Sequence, residues 1–341
     1  MVDRLAARGA ALAPPPGEWG STDPVLVEQY RRWGLVWGHG PHNVRYSVAY
    51  DPEYFKLTCE ELLAERGVRL YYHSWAVDVV REGDALTHVV LESKAGRGAI
   101  RARVVVDATG DGDIFAAAGE PYDLEQVHPW LWFRMGNVDV SRLDRRAPAF
   151  LALGEGRVLL PWGAAERLDR RIDGTDPDQL TYADVTCRRL VLDEADRLRR
   201  EHPAFRQAYV ADVAVTTDIT ESRRLRGRHV LERDDLDRAF LDSVAVTGHW
   251  TKYACVYAIP YRSLLPAGTA NLLVAGRCIG VDHRVHHATK EIPSCMATGE
   301  AAGTAAAMAY ATGRVGDVDV PALRHRLAAC GAIVDLPPTA A

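Results

Sequence analysis

The sequence has 341 residues, of which 48% are hydrophobic and 26% are charged, and its formal net charge is −5 at pH 7. These values are typical of an ordinary globular protein, long enough for two domains or for one large domain with an insertion. The acidic net charge and the dispersed arginines argue against a nucleic-acid partner.

The cysteines and the apolar runs exclude further classes of protein. None of the six cysteines forms a Cys-x-x-Cys pair, so their spacing does not support a zinc ribbon, an iron–sulfur site or a dithiol redox motif. Scattered cysteines predict a reducing, cytoplasmic compartment. No apolar run approaches the ~20 residues of a membrane helix, and charges near Met1 argue against an export signal.

The first predicted elements lie between the N-terminus and Gly110. The opening residues resemble the end of an amphipathic helix followed by a Pro-Gly break. The stretch 51–67 predicts a helix, with Asp51 as N-cap, Pro52 in the first turn and Gly67 at the end. A strand over 68–80, a hairpin that turns at 94–98 and a buried strand ending at Thr109-Gly110 should follow.

Residues 124–261 are less rich in glycine than the stretches on either side, and we interpret them as an inserted domain. It contains a strand-like stretch near 128–140, a long helix over 178–200 and, over 213–236, a strand, a polar loop and a short helix. A buried strand then covers 272–275 and ends at Gly276. A loop of roughly fifteen residues should lead to a helix near Pro293 whose face is Ala, Gly and Ser.

Two strands therefore end in glycine, at Gly110 and Gly276, and small-residue helices follow both. Ligands bind outside the carboxyl ends of strands in open α/β sheets, where glycine lets the backbone approach and a helix N-terminus offers N–H groups. We expect the two tips to lie side by side against one dinucleotide. The alternative is that both are plain strand–helix turns whose small residues only serve packing.

Four stretches resemble the FAD-dependent oxidoreductases among the glutathione-reductase-like flavoproteins, including their heterodisulfide reductase A-like relatives. They are VVVDATGDGDIFAAAGEPY, ITESRRLRGRHVL, YAIPYRSLLP and NLLVAGRCIGVDHRVHHATKEIPSCMATGEAAGTAAAMA. The resemblance implies an α/β fold: an incomplete Rossmann-type FAD-binding domain (51–123 and 262–315) with an inserted α+β substrate domain (1–50 and 124–261). Residues 316–341 would form a C-terminal helix and tail.

The resemblance also implies which residues touch FAD. The backbone near Ala76 and Val77 would pair with the adenine edge, the 107–110 loop would approach the adenosine and pyrophosphate, and Gly276-Arg277 would follow the strand towards the ribityl chain. A helix start near Met296 would direct N–H groups at the flavin, where a helix N-terminus stabilises negative charge by roughly 0.3–2 kcal/mol. The full predicted set is Ala76, Val77, Ala108, Thr109, Gly110, Asp111, Gly276, Arg277, Met296, Ala297, Thr298 and Gly299.

The sequence departs from this family in one respect: it contains no complete Gly-x-Gly-x-x-Gly. Two or three lost charge-assisted hydrogen bonds to the pyrophosphate, each worth ~1.5–3 kcal/mol, would weaken FAD binding to micromolar or worse. We therefore expect either a truncated gene model, with the first βαβ unit missing, or one half of a split flavoprotein whose partner chain supplies the glycine motif.

The candidate catalytic residues are His283, His287 and Lys290. A histidine from this loop suits proton transfer, and Lys290 stands where relatives often carry an arginine, so it could hold an anionic substrate or the reduced flavin. The spacing of His283, His286 and His287 could instead suit a metal on a helix face, but we predict no metal site, since a loop is expected here.

Other polar residues have two interpretations as well. Cys295 is either a thiol of depressed pKa at a helix start or a buried small residue. The arginines Arg223, Arg224 and Arg226 form either an anion clamp or a loop tied by Glu221. The absence of a Gly-x-Ser-x-Gly elbow gives no support to a hydrolase.

We therefore expect an FAD-dependent oxidoreductase that transfers a hydride between an unknown small molecule and the flavin. The rival hypothesis is a non-catalytic, cofactor-poor subunit that completes its FAD site with a partner chain. Some relatives carry a 4Fe-4S cluster, which the cysteine spacing here does not support.

Overall fold

The computed structural model describes residues 1–37, 42–143, 149–160, 168–249, 252 and 255–337. The helices of this part are α1 (Val2–Ala6), α2 (Pro24–Arg32), α3 (Pro52–Glu65), α4 (Asp113–Ala117), α5 (Pro177–Glu201), α6 (His283–Thr289), α7 (Ile292–Met308) and α8 (Val320–Ala329). Among the described residues, no helix combines the length and the apolar character needed to cross a bilayer.

The strands are short, and most of them pair in small sheets. In chain order they are β1 (Ala11–Leu12), β2 (Ala49–Tyr50), β3 (Ser74–Glu82), β4 (Ala85–Ser93), β5 (Gly96–Arg101), β6 (Val105–Asp107), β7 (Tyr122–Leu124), β8 (Gln126–Val127), β9 (Phe133–Gly136), β10 (Phe150–Leu151), β11 (Val158–Leu160), β12 (Ile172–Asp173), β13 (Tyr209–Val213), β14 (Arg223–Leu225), β15 (Ser243–Gly248), β16 (Val256–Pro260) and β17 (Leu272–Val274).

The chain forms two compact units, of which unit 1 comprises 1–70 and 127–219 and unit 2 comprises 71–126 and 220–341. Unit 1 contains an antiparallel sheet in the order β10-β11-β9-β13. Helix α5 starts at an Asp176 cap followed by Pro177, as the sequence predicted within a residue or two. Its fully buried residues recur every three or four positions, the spacing of one helix face: Ala183, Cys187, Val191, Ala195 and Leu198.

Helix α3 begins and ends where the sequence predicted. The Asp51 carboxylate accepts from the N–H of Glu53 and of Tyr54, and Gly67 takes the positive φ of +67° that closes many helices. The helix belongs to unit 1, where Arg4 pairs with Glu65 at 2.6 Å and α1 packs against it. We had expected this helix in the FAD-binding domain (51–123 and 262–315), whereas the structure places it in unit 1, apart from β6 and β17.

Unit 2 contains a parallel pair formed by β6 and β17, with Leu272 opposite Val105 and Val274 opposite Asp107. The expectation that these two strands end side by side is therefore confirmed. Asn271, just before β17, donates from Nδ2 to the carbonyls of Leu86 and Arg103, at 2.7 and 3.0 Å. The hairpin strands β3, β4 and β5 form a separate antiparallel sheet.

Helix α7 packs in unit 2 through small side chains, as predicted, since Ala301, Ala302 and Ala305 are fully buried. The hairpin of β15 and β16 shares this core through residues such as Val244 and Ile259. Residues 220–261 therefore pack with the β6–β17 pair, although the sequence had placed them in the inserted domain. The assignment of a substrate domain to residues 1–50 and 124–261 stays a prediction.

The structure corrects two local predictions in unit 2. The strand expected over 68–80 begins only at Ser74, because the chain bends at His73, which has a positive φ of 55°. The loop expected before Pro293 contains α6, a helix capped by Asp282, whose carboxylate accepts from the N–H of Val285 at 2.7 Å. The histidines of this stretch thus lie on a helix.

Candidate functional site

A buried carboxylate builds the turn that follows β6. Asp107 is fully buried, and its Oδ1 accepts from the N–H and the hydroxyl of Thr109, at 3.1 and 2.7 Å. Its Oδ2 accepts from the N–H of Ile114 and of Phe115, at 3.0 and 2.9 Å. One side chain thus satisfies free N–H groups at the start of α4 and fixes the loop 108–112.

Two glycines in this loop adopt left-handed conformations, with φ of +83° at Gly110 and +69° at Gly112. A Cβ on Gly110 would lie 2.4 Å from the guanidinium Nη1 of Arg277. The absence of a side chain at Gly110 therefore lets the loop after β6 and the residues after β17 approach each other. Ala108 and Thr109 are exposed beside it.

The residues after β17 meet this loop through Arg277. Its Nη2 lies 2.8 Å from Oδ1 of Asp111, and its Nε is buried with no hydrogen-bond partner among the described residues. Gly276, with φ of +83°, donates its N–H to the hydroxyl of Thr298 at 3.0 Å. The structure thus brings together Gly110, Asp111, Gly276, Arg277 and Thr298 from the predicted set.

Helix α7 starts near Pro293 as predicted, but the expectation that the N–H groups near Met296 face the flavin was wrong in its geometry. The helix begins at Ile292, so Met296, Ala297, Thr298 and Gly299 follow the first turn and their N–H groups enter the helical hydrogen bonds. These N–H groups are therefore not free for a ligand. The Thr298 hydroxyl instead donates within the helix to the Ser294 carbonyl, at 3.0 Å, or to that of Cys295, at 3.1 Å.

The predicted adenine strand lies at the edge of its sheet. Ala76 pairs with Leu91 on β4, and Val77 falls at an irregularity in the register between Ala76 and Asp78. The neighbouring Trp75 is 81% exposed. Helix α4, which follows the Gly110 loop, packs against β3.

The predicted catalytic residues all belong to α6 or directly follow it. His283 is half-exposed and its Nδ1 lies 2.9 Å from Oε2 of Glu221. The ring of His287 lies 6.3 Å from that of His283, and burial, with the nearby charge of Lys290, lowers the pKa of His287 to about 4. The ammonium of Lys290 is mostly buried and lies 3.9 Å from the Glu291 carboxylate.

Glu221 contacts Arg224 as well as His283, and the sequence did not predict the contact with His283. Arg224 Nε lies 2.6 Å from Glu221 Oε1, both side chains are buried, and Arg224 Nη1 donates to the carbonyl of Val281 at 2.7 Å. Burial raises the pKa of Glu221, although Arg224 and His283 oppose the shift. This agrees with the interpretation in which Glu221 ties the arginine loop. The only signal in the sequence was the pair of charges three residues apart.

Two other arginines of the loop and Cys295 have structural partners. Arg223 donates to Asp113 at 2.9 Å, and Arg226 lies against Asp123 on the surface. Cys295 donates to the carbonyl of Lys290 at 3.3 Å, and burial raises the pKa of its thiol. The thiol is therefore not activated by its place near the helix start.

A sequence model described as FAD-dependent oxidoreductase matches residues 20–152 and 155–327. The chain belongs to the FAD-dependent oxidoreductase family. A comparison with curated proteins found no match.

Solved structures of FAD-dependent oxidoreductases and related proteins resemble the chain at low identity. A geranylgeranyl bacteriochlorophyll reductase-like protein from Thermoplasma acidophilum is 15% identical, with a TM-score of 0.41 over 86% of this chain and 62% of that one. BexE, from BE-7585A biosynthesis, is 14% identical, with a TM-score of 0.47 over 95% and 53%. A p-nitrophenol 4-monooxygenase from Pseudomonas putida is 12% identical, with a TM-score of 0.45 over 96% and 70%. The chain thus spans about half to two thirds of these proteins.

The residues at the two strand tips fit an FAD diphosphate. Arg277 offers a buried Nε–H that lacks a partner among the described residues, and an added Cβ at the neighbouring Gly276 would meet no atom nearer than Cys295 Sγ at 3.9 Å. An arginine suits a phosphate because its planar N–H groups match the geometry of the oxygens. Thr109, Gly110, Gly276 and Arg277 are the residues that would hold this part of the cofactor.

Proposed function

We propose that this family member binds FAD at the carboxyl ends of β6 and β17 and transfers a hydride between a small molecule and the flavin. The observation that carries the proposal is the parallel pairing of the two strands, which sets the Gly110 loop against Arg277. Ligands of open α/β sheets bind at such carboxyl ends. FAD, when bound, supplies the carrier of the two electrons.

Residues of this chain would move the proton that accompanies the hydride and would balance the charge of an anionic substrate. His283 and His287 lie on one helix with their rings 6.3 Å apart. Because its pKa is lowered to about 4, His287 is neutral at pH 7 and can accept a proton. Glu221 and Arg224 hold the region of His283, because the carboxylate contacts both side chains. Lys290 would place a positive charge near an anionic substrate.

The test of the proposal is flavin binding followed by reduction. The purified chain is titrated with FAD, and we expect saturable quenching of the flavin fluorescence. Small hydride donors are then screened with excess FAD and without oxygen for protein-dependent bleaching of the flavin absorbance. A flavin fluorescence that does not change with protein concentration would contradict the proposal for this chain.

A second candidate function is a subunit that completes its FAD site with a partner chain. Strand β6 pairs only with β17 among the described strands, and Arg101, Val104, Ala306 and Tyr310 line a groove nearby. An open strand edge can accept another strand. Flavin retention by the chain alone would contradict this alternative, as would in-frame coding sequence for Gly-x-Gly-x-x-Gly directly upstream of Met1.

A further inference from the structure

Three side chains of unit 2 place potential metal ligands around one point. The Nδ1 of His283 lies 2.9 Å from Oε2 of Glu221 and 3.7 Å from Oε2 of Glu125. One ligand atom of each residue lies within 4.8 Å of the other two. In a tetrahedral site with bonds of about 2.0–2.2 Å, neighbouring ligand atoms are roughly 3.3 Å apart, so the two measured distances bracket that spacing.

A fourth side chain leaves an unpartnered lone pair at this place. His286 is 1% exposed, and its Nε2 lies 3.0 Å from the carbonyl of Arg277. A carbonyl only accepts, so Nε2 carries the proton and Nδ1 of the neutral ring is an acceptor. That Nδ1 has no hydrogen-bond partner among the described residues and lies 3.5 Å from Oε2 of Glu221, which is also an acceptor.

Two buried acceptors that face each other need a positive charge or a donor between them. We propose that Glu125, Glu221 and His283 bind a first-row transition-metal dication. A water on the ion would donate to Nδ1 of His286 and so satisfy the unpartnered lone pair. Three protein ligands and one water form the usual set of a reactive rather than a purely structural zinc-type site. One imidazole with two carboxylates suits Zn²⁺, Mn²⁺ or Fe²⁺.

The surroundings favour a fixed and accessible site. Arg224 binds the other oxygen of Glu221 at 2.6 Å, and such a contact from a residue that does not itself bind the ion orients Oε2. Glu221 is 2% exposed, whereas the side chains of His283 and Glu125 are 50% and 28% exposed. An ion can therefore enter from solvent and contact Glu221 at the bottom of the site. His287 is not one of the three ligands and stays available for the proton transfer that accompanies hydride transfer.

The experiment titrates the full chain with Co²⁺ after removal of metals with a chelator and without added FAD. We expect one equivalent to bind with visible d–d absorption, because a site with three protein ligands and a water has low symmetry. Glu125→Gln and His283→Gln, at the exposed side of the site, should each weaken binding at least ~10-fold, the scale on which metal sites respond even to loss of a residue that only supports a ligand.

Matched variants outside the site separate specific from incidental binding. Glu82→Gln and His88→Gln lie on the β3–β4 hairpin of the same unit and should leave the Co²⁺ affinity unchanged. Equal affinity in all four variants, or absence of the d–d bands in the wild type, would overturn the proposal. Because the assay contains no flavin, failure to bind FAD does not change its outcome.

Discussion

Asp111 and Arg277 are 166 positions apart in the sequence, yet their side chains form an ion pair of 2.8 Å across the tips of two parallel strands. Asp111 also accepts a hydrogen bond from the hydroxyl of Ser222. The pair leaves Nε of Arg277 without a partner among the described residues. The ion pair thus joins the loop 108–112 to the residues after β17, and it leaves the Nε–H of Arg277 able to donate to an anionic ligand.

Replacement of Arg277 by Met should weaken FAD binding more than it weakens the fold. Loss of a charge-assisted hydrogen bond of ~1.5–3 kcal/mol lowers affinity ~10- to 100-fold. Both partners of the ion pair are about one third exposed, so the free energy of unfolding should change by less than ~1 kcal/mol. Flavin fluorescence titration measures the affinity. Arg314→Met, which removes an exposed pair with Asp84, is the control, and an equal loss there would contradict the assignment.

Gly110→Ala should destabilise unit 2 by ~1–3 kcal/mol. Its φ of +83° is costly for any other residue, and the new Cβ would lie 2.4 Å from Arg277. Urea denaturation measures the free energy of unfolding. Gly98→Ala is the matched control, because no atom lies within 4 Å of its added Cβ and its φ is not positive. Similar stabilities of the two variants would show that the loop geometry is not needed.

Glu120→Gln should lower the free energy of unfolding by ~1.5–3 kcal/mol. The carboxylate is 4% exposed and accepts from the N–H of Ala267 and of Gly268, at 3.2 and 3.1 Å, and from the hydroxyl of Thr269. The amide keeps one acceptor oxygen but loses the charge that strengthens these bonds. Thermal and urea unfolding measure the change, with the exposed Glu82→Gln as control. An effect no larger than the control's would count against this account.

Mild acid should destabilise the protein through His229. Burial lowers the pKa of this imidazole, and Arg262 lowers it further, while Asp235 and Asp242 oppose the shift. The unfolded chain therefore takes up a proton near pH 6.5, before the folded protein does, so stability present above that pH is lost as the pH falls. Unfolding free energies at pH 7.5 and below should show a shallower decline in His229→Gln. Parallel pH profiles would contradict this prediction.

The sequence predicted those helices and strands whose caps, stops or apolar runs lie within a few neighbouring residues. The cap and stop of α3, at Asp51 and Gly67, are confirmed because both act within one helical turn. The strands β6 and β17 were found from short apolar runs that end in glycine. Helix α6 was missed because seven residues give little periodicity and its cap, Asp282, lies in a stretch rich in histidine.

The candidate site was predicted only in part from the sequence. Gly110 and Arg277 were named as ligand-facing residues, but their mutual contact depends on strands far apart in the chain. The helix start near Pro293 is confirmed, since α7 begins at Ile292. The N–H groups from Met296 to Gly299 were misplaced, because they lie beyond the first turn and bond within the helix.

By itself the sequence determined the strand ends, the small-residue face of α7 and the resemblance to FAD-dependent oxidoreductases, because each rests on neighbouring residues or on motif order. Only the tertiary structure decided that Asp111 pairs with Arg277 and that Glu221 meets His283 and Arg224. Such contacts depend on burial and on pairing between distant segments, since a buried carboxylate is stable only where cations or donors converge on it.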